Sequence, residues 1–247
     1  SGFVMFKMMG YFVVIDCCGV SLRDDFTLDM EFIRQSINQH THAIIFIAYP
    51  NNPSANCYDE KDIEEIIDIA PGMVVLDEAY HPFACTSFMS RLGEFENLLV
   101  MRTVSKMGLA GLRLGLLAGP TKWISEFDKV RLPYNINILT QVTAKFALKH
   151  NNVFEEQATS IRQQRDWLFD ELQSFTQFQV FPSRANFILL RVLEGDATLI
   201  FECLKKQGVL IKNMHPAGGV LSQCLRVTVS TEEENQALIS ALDECVK

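Results

Sequence analysis

Two stretches of this sequence carry residue types at a spacing that can do chemistry. Val74-Val75-Leu76-Asp77-Glu78-Ala79-Tyr80 is an apolar run that stops at a carboxylate. Arg102-Thr103-Val104-Ser105-Lys106-Met107-Gly108-Leu109-Ala110-Gly111-Leu112-Arg113-Leu114-Gly115 sets a lysine among hydroxyl, small and glycine residues, with an arginine one to two helical turns on. Together they suit pyridoxal phosphate, which needs an amine to hold its aldehyde as a Schiff base, a carboxylate to keep its ring nitrogen protonated, and donors plus a cation around its phosphate. Lys106, Asp77, Ser105 and Arg113 supply these in turn.

Each residue also has a plainer reading. Asp77 is equally a helix cap or loop acid, and Lys106 one more solvated lysine. Lys106 has no acidic neighbour, however, and sits in a Ser-Lys…Gly-Leu-Ala-Gly setting where a surface lysine would normally keep polar company. The glycines allow a ligand to approach the backbone closely, and Arg113 and Ser105 suit a dianionic phosphate. Tyr80 is placed to reach the cofactor's phenolic oxygen, while Glu78 reads as a solvent residue or one standing behind the site. Asn51-Asn52-Pro53-Ser54 is a turn cluster; beside the other residues, Asn52 becomes a candidate donor to the cofactor O3′. Arg226, on a strand and on the same face as Thr228, and Lys212 are either exposed cations or a pair converging on an anionic substrate group. The five histidines have no triad or metal partners at a recognisable spacing, so none is given a role.

The elements that must position these residues alternate. Leu28 to Ile37 has helical spacing with Thr27 as N-cap, and Ala43 to Ala48 is an unbroken apolar run of the kind buried on both faces of a parallel sheet. A helix from Asp59 to Ile69, strands at 73–76, 97–101 and 114–118, and a helix at 121–130 follow. This order predicts an α/β fold with a mainly parallel sheet and right-handed crossovers. Ligands then sit beyond the carboxyl ends of the strands, where Asn51, Asp77 and Lys106 fall. A long helical stretch from 138 to 172 leads to an α+β remainder with strands at 178–181, 186–192, 209–213 and 224–229. Between them lies a helix at 197–207 with Gly208 as its cap. The last helix opens on Thr231 with Glu234 in a capping box. The expected organisation is a large domain over 1–135, a connecting helical region over 136–172 and a small carboxyl-terminal domain over 173–247.

The chain of 247 residues, 48% hydrophobic, can bury a full core. Its net charge of -8 argues against a nucleic-acid or anionic-membrane partner. Seven cysteines without a metal-type or redox-type pair suggest a reducing cytoplasm, and no apolar run is long enough to span a bilayer. The apolar pattern from Phe3 to Ile15 reads as a buried helix or strand. Because it begins almost at residue 1, something is expected to precede it, and the chain is expected to be a fragment.

In this order, Tyr49-Pro50-Asn51-Asn52-Pro53-Ser54, the Asp77 and Lys106 blocks and Leu225-Arg226-Val227-Thr228-Val229 resemble the fold-type-I pyridoxal-phosphate aminotransferases, most closely their histidinol-phosphate aminotransferase branch. The resemblance covers essentially the whole chain. It implies exchange of an amino group between histidinol phosphate and 2-oxoglutarate by a homodimer whose site lies at the subunit interface, with the small domain closing on a small-molecule substrate. It implies Lys106 as Schiff-base lysine and proton carrier, Asp77 on the pyridine nitrogen, Asn52 and Tyr80 on O3′, Ser105 and Arg113 on the phosphate, and Arg226 on the substrate's anionic group. Lys212 falls where many relatives have arginine, and Phe6 where they usually have a tyrosine stacked on the cofactor ring. Ser230 replaces a common glycine, and the family's amino-terminal segment precedes the position of Phe3. Readings that compete are an aromatic aminotransferase, a phosphothreonine decarboxylase-like enzyme and a non-catalytic truncated fragment.

Overall fold

The computed structural model describes residues 8, 10, 12–39 and 43–246. Phe6, the candidate stacking residue, lies outside them, as does much of the apolar stretch 3–15. Of that stretch, Met8 and Phe12 to Ile15 are exposed rather than buried.

The first sheet holds β1 (Ile44–Ala48), β2 (Met73–Asp77), β3 (Leu98–Thr103) and β4 (Gly115–Ala118), hydrogen-bonded in that order. β1, β2 and β3 are parallel, with Ala48 opposite Asp77 and Asp77 opposite Met101. The first crossover is α2 (Glu60–Ile69), whose N-cap Asp59 accepts from the Lys61 amide and whose Ile63, Ile66 and Ile67 are buried. The strand pattern departs from the expected parallel series at β4, which runs antiparallel to β3 with Thr103 opposite Gly115. The reason is length: residues 104–114 contain only two short 3₁₀ turns, whereas a parallel return needs a crossover of a dozen or more residues. The lysine-bearing segment is therefore the turn of a strand pair.

Helix α1 (Met30–Gln39) starts two residues later than the spacing predicts. Asp29, not Thr27, caps it, since Asp29 Oδ1 accepts from the Phe32 amide while the Thr27 hydroxyl donates to Asp25. Helix α3 (Thr121–Val130) matches its expected range. The long helical stretch divides into α4 (Ile138–Lys149) and α5 (Asn151–Gln173) at His150, whose amide bonds the Ala147 carbonyl in a tight final turn.

The second sheet is antiparallel, in the order β5 (Phe178–Phe181), β6 (Phe187–Val192), β8 (Cys224–Thr228) and β7 (Lys212–Asn213). The strand expected over 209–213 shrinks to two residues because α6 (Ala197–Lys206) takes the preceding backbone. The amides of Gly208 and Val209 turn back to the Lys205 and Leu204 carbonyls, a Schellman closure in which Gly208, at φ +83°, stands one residue past the cap Gln207. The last helix, α7 (Glu232–Cys245), carries the expected Thr231–Glu234 capping box.

One core spans both sheets, joining Leu22, Phe26, Leu76 and Val100 to Phe181, Leu189 and Cys224. A second packs Leu168 and Leu172 of α5 with Leu238 and Leu242 of α7 against Ile188, Leu190 and Leu225. The packing of α6 on α7 brings the Cys203 and Cys245 Cα atoms to 5.9 Å, and the structure joins them in a disulfide. This differs from the all-reduced cysteines of the sequence reading: the pair is 42 residues apart, and only the tertiary packing makes it a pair. Among the described residues no helix is long and apolar enough to cross a membrane, and no cluster of His, Cys, Asp and Glu could hold a metal ion.

Candidate active site

The carboxyl ends of β2 and β3 and the turns beyond them gather the candidate residues. Asp77 closes β2, only 9% exposed, and accepts from the Ala79 amide at 3.0 Å. Burial pushes its carboxyl above the ordinary 3.8, against the opposing pull of the Ala79 amide and the Lys106 charge. Tyr80 follows, buried, with its ring edge-on to Phe187 at 5.1 Å between centroids. Lys106 Nζ stands 4.9 Å from the centre of the Tyr80 ring, so the amine beyond β3 lies over the phenol beyond β2.

The turn holding Lys106 is fixed from both sides. Thr103 caps it by accepting from the Ser105 amide at 3.1 Å, and its hydroxyl reaches Ser105 Oγ at 2.8 Å and the Leu114 carbonyl at 3.2 Å. Gly108 closes the turn at φ +89°, a conformation that a side chain would oppose. Gly115 comes so near the Arg102 carbonyl that a Cβ there would sit 2.9 Å from it. Arg113 ends the next turn in the left-handed region and is exposed, with no ion pair among the described residues.

Asn52 and Arg226 complete the group. Asn52 Nδ2 donates to the Tyr80 hydroxyl at 3.2 Å, and Arg226 Nη1 donates to Asn52 Oδ1 at 2.6 Å. The Arg226 guanidinium lies over the Phe187 ring at 4.9 Å, and its buried Nε has no hydrogen-bond partner. An unfilled donor on a half-buried cation suits an anionic ligand. Lys212 is the register partner of Arg226 across β7 and β8, so the two side chains leave the same face of the sheet, with Lys212 exposed.

The structure thus brings Asn52, Asp77, Tyr80, Lys106 and Arg226 together, leaves Arg113 and Lys212 at the exposed rim, and holds Ser105 in the lysine turn. The donor set fits pyridoxal phosphate: an amine, a buried carboxylate in need of a cation, a phenol and amide already paired, and a hydroxyl and a guanidinium for an anion. Sequence reasoning missed Phe187, on which both Tyr80 and Arg226 lean, because one phenylalanine in an apolar strand carries no signal. It also undervalued Glu78, which is 1% exposed and ion-paired with Arg102 at 2.8 Å. The adjacency of two acids at the end of an apolar strand was the available clue.

The family model "Aminotransferase class I and II" matches residues 11–242. Over 240 residues the chain is 50% identical to "Histidinol-phosphate aminotransferase 2" of Nitrosococcus oceani, covering 97% of this chain and 67% of that protein. Among solved structures, the histidinol-phosphate aminotransferase of Clostridium acetobutylicum superposes with a TM-score of 0.90 at 21% identity, covering 98% of this chain and 75% of that one. The Sinorhizobium meliloti histidinol-phosphate aminotransferase in complex with pyridoxal-5′-phosphate gives 0.86 at 24% identity, covering 99% and 68%. The chain spans 65 to 67% of the length of the curated relatives it matches most strongly. A match across nearly all of its residues nonetheless places the chain in the class I and II aminotransferase family.

Proposed function

We propose that this chain carries the catalytic lysine and most of the cofactor cradle of a pyridoxal-phosphate aminotransferase acting on histidinol phosphate and 2-oxoglutarate. The observation that carries the reading is the convergence of Lys106, Tyr80, Asn52 and Arg226, from four separate stretches of chain, into one connected group beside Asp77. The identity to histidinol-phosphate aminotransferases favours that substrate over an aromatic amino acid or phosphothreonine.

When bound, the cofactor supplies an aldehyde to hold the amino group and a protonated ring that accepts electron density from the substrate's α-carbon. The protein's part is positional and electrostatic. Asp77, kept dry at the end of β2, holds a proton at the ring nitrogen by offering a carboxylate that gains from a cationic partner. Asn52 and Tyr80 donate toward the phenolic oxygen. Ser105 and Arg113 would hold the phosphate. Lys106 would hold the cofactor's aldehyde, and its amine would carry the proton from the substrate's α-carbon to the cofactor's C4′, as a general base and then acid. Arg226, with Lys212 on the same face, binds the substrate's carboxylate or phosphate.

The reading extends to the assembly. Leu132, Tyr134, Ile138, Leu139, Val142 and Phe146 are all exposed, and large apolar side chains left open along one stretch of chain suit an interface. They accord with a homodimer whose site lies at the interface, and the two sheets with the helices between them accord with a large domain over 1–135, connecting helices over 136–172 and a small domain over 173–247. A cytoplasmic location accords with a small-molecule biosynthetic role. The test is the mass of the protein after incubation with pyridoxal phosphate and borohydride reduction, followed by peptide mapping. One phosphopyridoxyl group on Lys106 supports the assignment, and no adduct overturns it. Comparing turnover of histidinol phosphate, phenylalanine and phosphothreonine separates the substrate readings, and sedimentation tests the dimer.

A further inference from the structure

Glu78 is the most deeply buried charge near the site and touches none of the proposed ligand-binding groups. Its carboxylate accepts from Ser87 Oγ at 3.1 and 2.8 Å, from the Phe88 amide at 2.7 Å, and from Arg102 Nε and Nη2 at 3.0 and 2.8 Å. Arg102 Nη2 also donates to Ser87 Oγ at 2.6 Å, closing a three-membered ring of side chains. The backbone joins in, because the Glu78 amide donates to the Met101 carbonyl at 2.8 Å.

The placement of this ring gives it a role. Glu78 is the residue after Asp77, and Arg102 lies four residues before Lys106, on the strand that leads into the lysine turn. The pair therefore ties the carboxyl ends of β2 and β3 together where one delivers the carboxylate and the other the amine. A buried ion pair is a poor source of net stability, because desolvation offsets its attraction, but it fixes geometry through many directed bonds. Two apolar residues here would pack as well, but would leave the turns beyond the strand ends to the backbone ladder alone. We propose that Glu78 and Arg102 are positioning residues that set the separation of Asp77 and Lys106, and so the seat of the cofactor ring; this deepens the aminotransferase reading and rests on it.

The test compares the pyridoxal-phosphate-loaded protein with Glu78→Gln and with Arg102→Lys, which keeps the charge but loses the two-pronged bond. The readouts are cofactor affinity and the visible circular dichroism per bound cofactor, which reports how the ring is held in its chiral seat. A misplacement of about 1 Å is worth on the order of 100-fold in rate. Glu78→Gln is therefore expected to weaken cofactor binding at least roughly tenfold and to diminish the visible dichroism, with Arg102→Lys intermediate. A Glu78→Gln protein that melts lower yet keeps both cofactor affinity and dichroism overturns the proposal, since the pair is then purely structural. Should Glu78→Gln fail to fold, Ser87→Ala removes one ring member without changing charge, and the same two readouts decide. A parent protein with no visible cofactor band fails the aminotransferase reading instead, which keeps the two failures distinct.

Discussion

Arg226 Nη1 donates to Asn52 Oδ1 at 2.6 Å, joining residues 174 positions apart in the chain. The other end of the same amide donates to the Tyr80 hydroxyl, so the group proposed to seize substrate and the group proposed to meet the cofactor share one side chain. Both lean on Phe187, Tyr80 edge-on and Arg226 over the ring face. Whatever binds Arg226 is therefore felt by Asn52 and Tyr80 through directed bonds.

Arg226→Lys should raise the KM for 2-oxoglutarate by about 10- to 100-fold, because a hydrogen bond to a charged group is worth about 1.5 to 3 kcal/mol and an ammonium cannot both hold Asn52 and grip a carboxylate in two places. Steady-state kinetics with saturating cofactor measures it. An unchanged KM would remove Arg226 from the substrate site.

Lys106→Ala separates chemistry from fold cleanly. Lys106 is exposed, and among the described residues its side chain makes no hydrogen bond, only the contact with the Tyr80 face and the electrostatic pull on Asp77. The melting transition should move by no more than about 1 kcal/mol, the scale of an exposed cation–π contact, while turnover is lost. Turnover close to that of the parent would defeat the role given to Lys106.

The residues proposed to do chemistry were legible because chemistry demands types. Lysine in Ser-Lys-Met-Gly and aspartate ending Val-Val-Leu-Asp are rare settings, and both lie at the strand ends where the α/β pattern puts a ligand. The helices at 60–69 and 121–130 were equally plain, since apolar spacing and caps are local. What stayed hidden depends on residues far apart in sequence. Phe187 under Arg226, Arg102 against Glu78 and Cys203 beside Cys245 exist as pairs only once the strands and helices have packed. The antiparallel turn of β4 was missed for a different reason, as periodicity reports that a strand is buried and says nothing of its direction.

The disulfide makes a stoichiometric prediction. Five cysteines, at 17, 18, 57, 85 and 224, are free, so thiol titration of the denatured protein should give five groups without reductant and seven with it. Closing a loop across the 42-residue separation is worth about 4 kcal/mol in the chain-entropy picture. Reduction should lower the melting temperature, and Cys203→Ser should reproduce the reduced protein's transition. Seven thiols in the untreated protein would leave the two cysteines merely adjacent.

Asp77 should cost the cofactor-free protein stability at neutral pH. Burial raises its folded-state carboxyl above the ordinary 3.8, so the folded protein binds the proton more tightly than the unfolded chain. Stability is therefore fullest below pH 3.8, where both states are protonated, and falls as pH rises through the higher folded value. Asn at this position is neutral throughout and can still accept from the Ala79 amide. Asp77→Asn should thus raise the melting temperature of the cofactor-free protein near pH 7, each ~1 kcal/mol of relief appearing as about 2 to 4 °C, with the gain vanishing in acid. With cofactor bound the order should reverse, because the parent carboxylate gains a cationic partner at the ring nitrogen and the amide does not. Thermal melts of both proteins, with and without pyridoxal phosphate at two pH values, read all four terms. A variant less stable than the parent in the cofactor-free state at neutral pH would show that Asp77 is held by interactions other than the one proposed.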